Sequence, residues 1–177
     1  MKKLLTILCL FLYSYSFAQE LETNSDAINA ALNKRIKTNI YTNSSAFSAT
    51  SNTTLSTITG LTKTLESGKK YSFEVELRTT SNVAGGIKVS VSGSATGTGL
   101  NYSVLIIDGG LVVLYDEKTT LGTGSGVTEV TASHITITGV ITATNSGTLQ
   151  ISFAQNVSNG SASTVLAASK FIVNEYL

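Results

Sequence analysis

The chain of 177 residues has no proline, no tryptophan, a single cysteine and a single histidine. A disulfide framework is therefore excluded, and so is a metal site built from clusters of cysteine and histidine. Charged residues make up only 13% of the chain, against about 25% in an average soluble domain. Twelve basic and eleven acidic residues leave a formal net charge of +1. A net charge this close to zero does not indicate binding to nucleic acid or to an anionic membrane surface. The sequence has no cofactor-binding motif, so no cofactor is expected.

Small hydroxyl residues are what the chain has in abundance. There are 23 serines and 26 threonines, while 42% of the residues are hydrophobic. The apolar fraction is high enough to build a hydrophobic core, so the composition is not that of a disordered chain. The length suits one domain with or without appendages.

Residues 1–18 have the pattern of a secretory signal peptide. Two lysines precede an almost unbroken apolar run at residues 4–12. Ser16 and Ala18 then place small residues at −3 and −1 of a cleavage between Ala18 and Gln19. Because the apolar run is well short of the roughly 20 residues that cross a bilayer, we predict no membrane span. The expected location is outside the cytoplasm, whether periplasmic, cell-surface or secreted.

Cleavage at Ala18 would remove two lysines and the only cysteine, leaving ten basic and eleven acidic residues. The exported domain could then not be cross-linked. We expect it to depend on its hydrophobic core and hydrogen-bond ladder, with a contribution from oligomerisation.

Residues 19–44 are predicted to form a helical lead segment. Four apolar residues recur every four positions, at Ile28, Leu32, Ile36 and Ile40, which places them along one side of a helix. So narrow a stripe must pack on something. The helix either covers one end of its own β domain or packs against copies of itself. The first alternative is favoured, because Arg35 interrupts a seven-residue repeat.

Residues 45–177 are predicted to form an all-β domain. Apolar and polar residues alternate in several segments, for example at Tyr71, Phe73, Val75 and Leu77. Residues 104–107 and 111–114 are apolar on both faces and flank the turn signal at 108–110, which predicts a hairpin of two central strands. The spacing of the turns indicates an antiparallel β-sandwich or jelly roll of about 8–10 strands with a short N-terminal helix.

The search for catalytic groups gives no constellation that supports chemistry. His134 is predicted to face solvent, on the same side of its strand as Thr136 and Thr138. Glu74 and Glu76 share an exposed face about 7 Å apart, and we interpret them as solubility features. No nucleophile elbow and no phosphate-binding loop is present. The chain is therefore not expected to be an enzyme.

Binding is the remaining class of function, and the candidate residues surround the predicted central hairpin. They are Tyr102, Asp108, Tyr115, Asp116 and Glu117. Tyrosine rings could act as platforms for a sugar, although packing at the core or rim explains the same residues. A carbohydrate-binding domain or a small glycan-active enzyme using residues 102–117 is the alternative to a purely structural module.

A resemblance to a known class of domains covers about 70% of the chain. It is carried by segments 54–61, 67–74, 85–89, 92–96, 139–143, 147–156 and 166–171. Together they resemble the C-terminal β-sandwich, jelly-roll-like domain of phage and prophage tail-fibre or head-fibre proteins. Their order is also similar to the trimeric jelly rolls of the tumour-necrosis-factor and complement-head type. The matching residues are turn glycines and core positions, so they report a fold and not a site.

The resemblance implies a structural or receptor-binding role and a homo-oligomer, with a trimer favoured. The signal peptide departs from the phage setting, because virion proteins assemble in the cytoplasm. We therefore predict an exported bacterial module for adhesion or surface assembly. Its ligand would be a glycan or a surface protein.

Overall fold

The computed structural model describes Ser25, Ile28, Asn29 and residues 35–177. One compact unit consists of residues 38–176, and the other contains the described residues up to 37 together with Leu177. Ser25, Ile28 and Asn29 are helical. The predicted signal peptide, its cleavage site between Ala18 and Gln19, and most of the predicted helix lie outside the described residues.

Twelve strands lie in the described part of the chain. They are β1 (Ile36–Thr42), β2 (Phe47–Ala49), β3 (Ser56–Leu65), β4 (Lys70–Thr80), β5 (Ile87–Ser92), β6 (Gly97–Asp108), β7 (Leu111–Lys118), β8 (Ser125–Val127), β9 (Ala132–Ala143), β10 (Gly147–Ala154), β11 (Ser163–Val165) and β12 (Lys170–Tyr176).

The strands form two antiparallel sheets that pack as a sandwich. The large sheet has eight strands in the order β1-β12-β4-β9-β6-β7, with β11 pairing to both β4 and β2. The small sheet has the order β3-β10-β5-β8. The predicted all-β antiparallel sandwich is confirmed. The strand number exceeds the prediction because β2, β8 and β11 have three residues each, too few to show a period of two.

The core lies between the inner faces of the two sheets. Strand β4 alternates as its sequence predicts, with Tyr71, Phe73, Val75 and Leu77 buried. Facing them from the small sheet are the buried side chains Leu61, Val89, Val91, Ile151 and Phe153. Burial of these side chains supplies the main stabilising free energy, since the described domain has no cysteine.

A glycine in the middle of β9 lets two aromatic rings meet in this core. Gly139 pairs with Phe73 of β4 on one side and with Tyr102 of β6 on the other. A Cβ at Gly139 would lie 2.5 Å from Tyr102 Cβ and 2.6 Å from Phe73 Cζ. The two rings approach with their centroids 6.3 Å apart. Any larger residue at 139 would force them aside.

The helix predicted to continue through Ile36 and Ile40 is wrong at these two residues, which belong to strand β1. The mistake has a simple origin, because residues four apart share a face in a strand as well as in a helix. Tyr41 points to the core side and packs on Phe171 with ring centroids 5.9 Å apart, whereas Ile40 is 64% exposed. The β domain therefore begins before residue 45.

The predicted hairpin is confirmed, because β6 pairs with β7, but the prediction that both of its strands are central is wrong for β7. Strand β6 lies inside the large sheet between β9 and β7. Strand β7, which has the same two-sided apolar pattern at residues 111–114, lies at the end of the large sheet. Leu111 and Val112 are consequently 72% and 63% exposed.

Candidate functional site

The outer face of the large sheet, which is turned away from the small sheet, carries the polar half of the alternating pattern. The strand register aligns Glu74 of β4 with Thr138 of β9, Thr138 with Ser103 of β6, and Ser103 with Glu117 of β7. Hydroxyl and carboxylate groups from four strands therefore form one row. Ser103 and Thr138 are joined through their hydroxyls at 3.1 Å.

A groove of about 420 Å³ crosses this face over strands β12, β4, β9 and β6. Its lining consists of Ser72, Phe73, Glu74, Asn101, Thr138, Gly139, Val140 and Asn174. We call it the outer-face groove. Strand alternation places Ser72, Glu74 and Thr138 here, whereas the Cβ position of Gly139 faces the core rings of Phe73 and Tyr102, so this residue lines the groove with its backbone.

Side chains at one wall of the outer-face groove are joined in a hydrogen-bonded chain. Thr38 Oγ1 donates to Asn174 Oδ1 at 2.7 Å, and Asn174 Nδ2 donates to Ser72 Oγ at 3.4 Å. The Tyr176 hydroxyl donates to the same Ser72 oxygen at 3.1 Å. Because Ser72 Oγ accepts two hydrogen bonds, its own proton is left to donate elsewhere. The Tyr176 ring lies beneath Lys70 Nζ, which is 5.9 Å from the ring centroid.

Two of the five predicted binding residues share the outer face. The Tyr115 hydroxyl donates to Glu117 Oε1 at 2.8 Å. This hydrogen bond to a carboxylate, together with its negative charge, raises the pKa of the Tyr115 hydroxyl. The Tyr115 ring is 60% exposed, so it is available for contact with a ligand.

The other three predicted residues lie apart from this pair and make contacts inside the fold. Tyr102 is buried, its hydroxyl donates to the carbonyl of Thr120 at 3.1 Å, and burial raises its pKa. Asp108 accepts hydrogen bonds from Ala132 N at 3.0 Å and Ser133 Oγ at 3.1 Å, which fixes the start of β9. The structure therefore does not bring all five residues into one site.

Asp116 is tied to strand β8 and to its own strand. Ser125 Oγ donates to Asp116 Oδ2 at 2.8 Å, and Lys118 Nζ lies 2.7 Å from the same oxygen. Hydrogen bonds lower the pKa of Asp116 below its ordinary value of 3.8. The Lys118 ammonium has the largest effect, and the Ser125 hydroxyl has the next largest. These contacts indicate a structural role that joins the edges of the two sheets.

A strip of exposed apolar side chains runs along strand β7, which is the free edge of the large sheet. It consists of Leu111, Val112, Val113 and Tyr115, and we call it the β7 strip. Leu105 and Ile107 of β6, which pair with Tyr115 and Val112, extend it as half-buried neighbours. This surface was missed from the sequence, because the same pattern predicted a covered strand.

Two kinds of site are absent from the described residues. Within residues 35–177, no three histidine, cysteine, aspartate or glutamate side chains are grouped so that they could hold a metal ion. None of the helical segments that the structure describes is long and apolar enough to cross a membrane.

Comparisons with known proteins give only distant likenesses. No family model and no curated protein matches the chain. A structure of TmCBM61 in complex with beta-1,4-galactotriose has a TM-score of 0.37 at 13% identity and covers 67% of this chain and 88% of its own. The infectious bursal disease virus Gx strain has a TM-score of 0.23 at 15% identity, covering 81% and 42%. A family two carbohydrate esterase from Cellvibrio japonicus has a TM-score of 0.19 at 11% identity, covering 80% and 35%.

Each of these TM-scores is below 0.5, so the three likenesses carry no argument about this chain. None of the three is a phage or prophage fibre protein, and that resemblance stays a prediction. The proposals below depend on the residues of the chain itself.

Proposed function

We propose that the chain is an exported, non-catalytic binding or structural module that acts in adhesion or surface assembly as a homo-oligomer of β-sandwiches. The observation that carries the proposal is the β7 strip. An edge strand with a free backbone edge is a template for pairing with another chain, and natural edges usually avoid exposed apolar residues. This edge presents four of them.

The sequence of β7 is apolar on both faces although the strand lies at an exposed edge, and this mismatch supports assembly. Residues 111–114 have the composition of a strand that is covered on both faces, yet in one copy of the chain Leu111 and Val112 are largely exposed. Complete burial of a leucine or valine side chain contributes about 1.5–3 kcal/mol. Contact with a further chain would recover much of this free energy and would give β7 the environment that its sequence favours.

A second copy of the same chain is the proposed occupant. Most soluble oligomers are built from identical subunits with closed symmetry. The resemblance to trimeric heads makes three copies the expected number. In a ring of three, the β7 strip of one copy would lie on a different surface of the next, whereas in a two-fold dimer it would lie on its own equivalent.

Export and oligomerisation together support an adhesive or surface role. The predicted signal peptide at residues 1–18 would place the domain in the periplasm, at the cell surface or in the medium. Several copies of one weak binding face gain avidity when they engage a surface that repeats its ligand. The ligand would be a glycan or a protein of that surface.

Light scattering coupled to size-exclusion chromatography tests the proposal on the mature chain, residues 19–177. We expect an oligomer at micromolar concentration, and we expect Val112→Lys to elute as a monomer because a lysine cannot be buried at the strip without a partner. Val157→Lys is the matched control, since Val157 is an exposed valine far from β7 in sequence, and it should keep the native mass. A monomeric native chain, or identical behaviour of the two variants, would rule the assembly out.

A further inference from the structure

The lining of the outer-face groove matches one class of ligand more closely than others. Serine, threonine and asparagine each donate and accept hydrogen bonds, and all three residue types line the groove together with the carboxylate of Glu74. No cationic side chain is among the eight lining residues. A phosphate or an acidic sugar in the groove would therefore be repelled by Glu74, while the Lys70 ammonium on the same face is held over the Tyr176 ring, outside the lining.

A protein segment is a poorer match than a sugar. Protein interfaces have an apolar, well-packed centre, whereas Val140 is the one exposed apolar side chain in the lining. A sugar ring needs only a small apolar contact for its C–H groups and many hydrogen bonds for its hydroxyls. The groove supplies one exposed apolar side chain, Val140, and several side chains that form hydrogen bonds.

The polar groups at the groove wall are already held in place before a ligand arrives. Asn174 is fixed by Thr38, and Ser72 accepts from both Asn174 and Tyr176. Side chains that are immobilised in advance lose less conformational entropy on binding. The remaining proton of Ser72 and the Glu74 carboxylate provide a donor and an acceptor on the same face of one strand, about 7 Å apart.

The volume and shape of the groove fit more than one sugar ring. About 420 Å³ lies within the usual range of about 300–1,000 Å³ for ligand sites. The groove crosses four strands, which corresponds to about 14 Å at the usual strand spacing. The groove is shallow and open to solvent, so it would admit a chain of sugars laid over the sheet.

We infer that the outer-face groove binds a neutral oligosaccharide, with Glu74 accepting hydrogen bonds from ring hydroxyls and Ser72 and Asn101 donating to them. The inference rests on the proposed binding role and names the ligand class for it. Val140, which is the exposed apolar side chain of the lining, would contact the apolar face of a sugar ring.

Calorimetric titration of the mature chain with cellohexaose, maltohexaose, mannohexaose and xylohexaose tests this inference, with hexagalacturonate as the acidic probe. We expect at least one neutral probe to bind in the micromolar to millimolar range and the acidic probe not to bind. Glu74→Gln should weaken that binding about tenfold or more, because a hydrogen bond to a charged group is lost. Glu76→Gln is the matched control, since Glu76 lies two residues away on the same face and outside the groove lining.

Absence of binding by all four neutral probes, stronger binding of the acidic probe, or equal effects of the two glutamate substitutions would each overturn the inference. Thr138→Val, which removes a lining hydroxyl and keeps the shape of the side chain, gives an independent second variant. The titration is repeated on Val112→Lys, so that sugar binding is measured without assembly. If the native chain is an oligomer and no neutral probe binds, the ligand class is wrong and the assembly stands. If the native chain is a monomer and a neutral probe binds, the assembly is wrong and the ligand class stands.

Discussion

At the scale of single residues, Asp116 shows how a sparse set of charges is used inside this fold. Its carboxylate accepts from Ser125 and lies against Lys118, so one acidic group joins the last strand of the large sheet to β8 of the small sheet. Hydrogen bonds to a charged group are stronger than those between neutral groups. The contact stabilises the folded chain only while the carboxylate is ionised.

We predict that the stability contributed by Asp116 depends on pH. Its pKa in the folded chain is lowered by Lys118 and Ser125, so its contribution is present above the unfolded pKa of about 3.9. The contribution is lost as the pH falls through the lower, folded pKa. Urea unfolding of native and Asp116→Asn chains should therefore differ most near neutral pH and converge in strong acid. An unchanging difference down to that acidity would contradict this assignment.

The sequence predicts which face of a strand a candidate residue occupies better than it predicts which candidate residues share a site. The alternation of a strand already separates Tyr115 and Glu117 from Asp116, because neighbours in a strand point to opposite faces. Glu74 was correctly expected on an exposed face. Its groove partners Asn101 and Asn174 come from β6 and β12, and only the strand register brings them together. Register between distant strands has no signature in a single sequence.

At the scale of elements, β1 is where helix and strand periodicity compete. A helical stripe would bury Ile40, whereas the observed strand buries one side of Tyr41 against Phe171. The helical assignment therefore predicts that Ile40 is the buried residue, and the strand assignment predicts that Tyr41 is. Substitution at each position therefore tests the secondary structure directly.

We predict that Tyr41→Ala lowers the free energy of unfolding by about 1–3 kcal/mol, less than the 3–5 kcal/mol of a fully buried aromatic residue. Ile40→Ala should change it by no more than about 0.5 kcal/mol, because Ile40 is exposed. Both values come from equilibrium denaturation of the mature chain. A larger effect at Ile40 than at Tyr41 would restore the helical assignment.

The sequence identified strands either by a period of two or, for β6 and β7, by two apolar segments on either side of a turn. Strand β4 is the clearest case, since its buried and more exposed residues alternate over its whole length. Residues 122–126 include three glycines and have no alternating pattern, yet β8 begins at Ser125, which is buried. A three-residue strand is specified by its partners, here β5 and Asp116, and not by its own composition.

At the scale of the whole molecule, the scarcity of cysteine and the polarity of the surface have a common consequence. The single cysteine, Cys9, lies in the predicted signal peptide, so an exported chain would enter an oxidising compartment with nothing to cross-link. The rigidity of the domain would then come from two packed sheets and their ladders. The hydroxyl-rich outer face is polar without being highly charged, and the exposed apolar residues of the β7 strip contrast with it.

We predict that the full chain, produced in a bacterium with an outer membrane, is recovered outside the cytoplasm with Gln19 as its first residue. Signal peptidases require a small residue at −1, so Ala18→Arg should leave an uncleaved precursor in the membrane fraction. Ser14→Ala, a change in the same segment that keeps both small residues at the cleavage site, is the control and should be processed normally. Intact mass and N-terminal sequencing of the fractions give the readout. A cytoplasmic chain that retains its signal segment would refute export, and the adhesive role at a cell surface would fall with it.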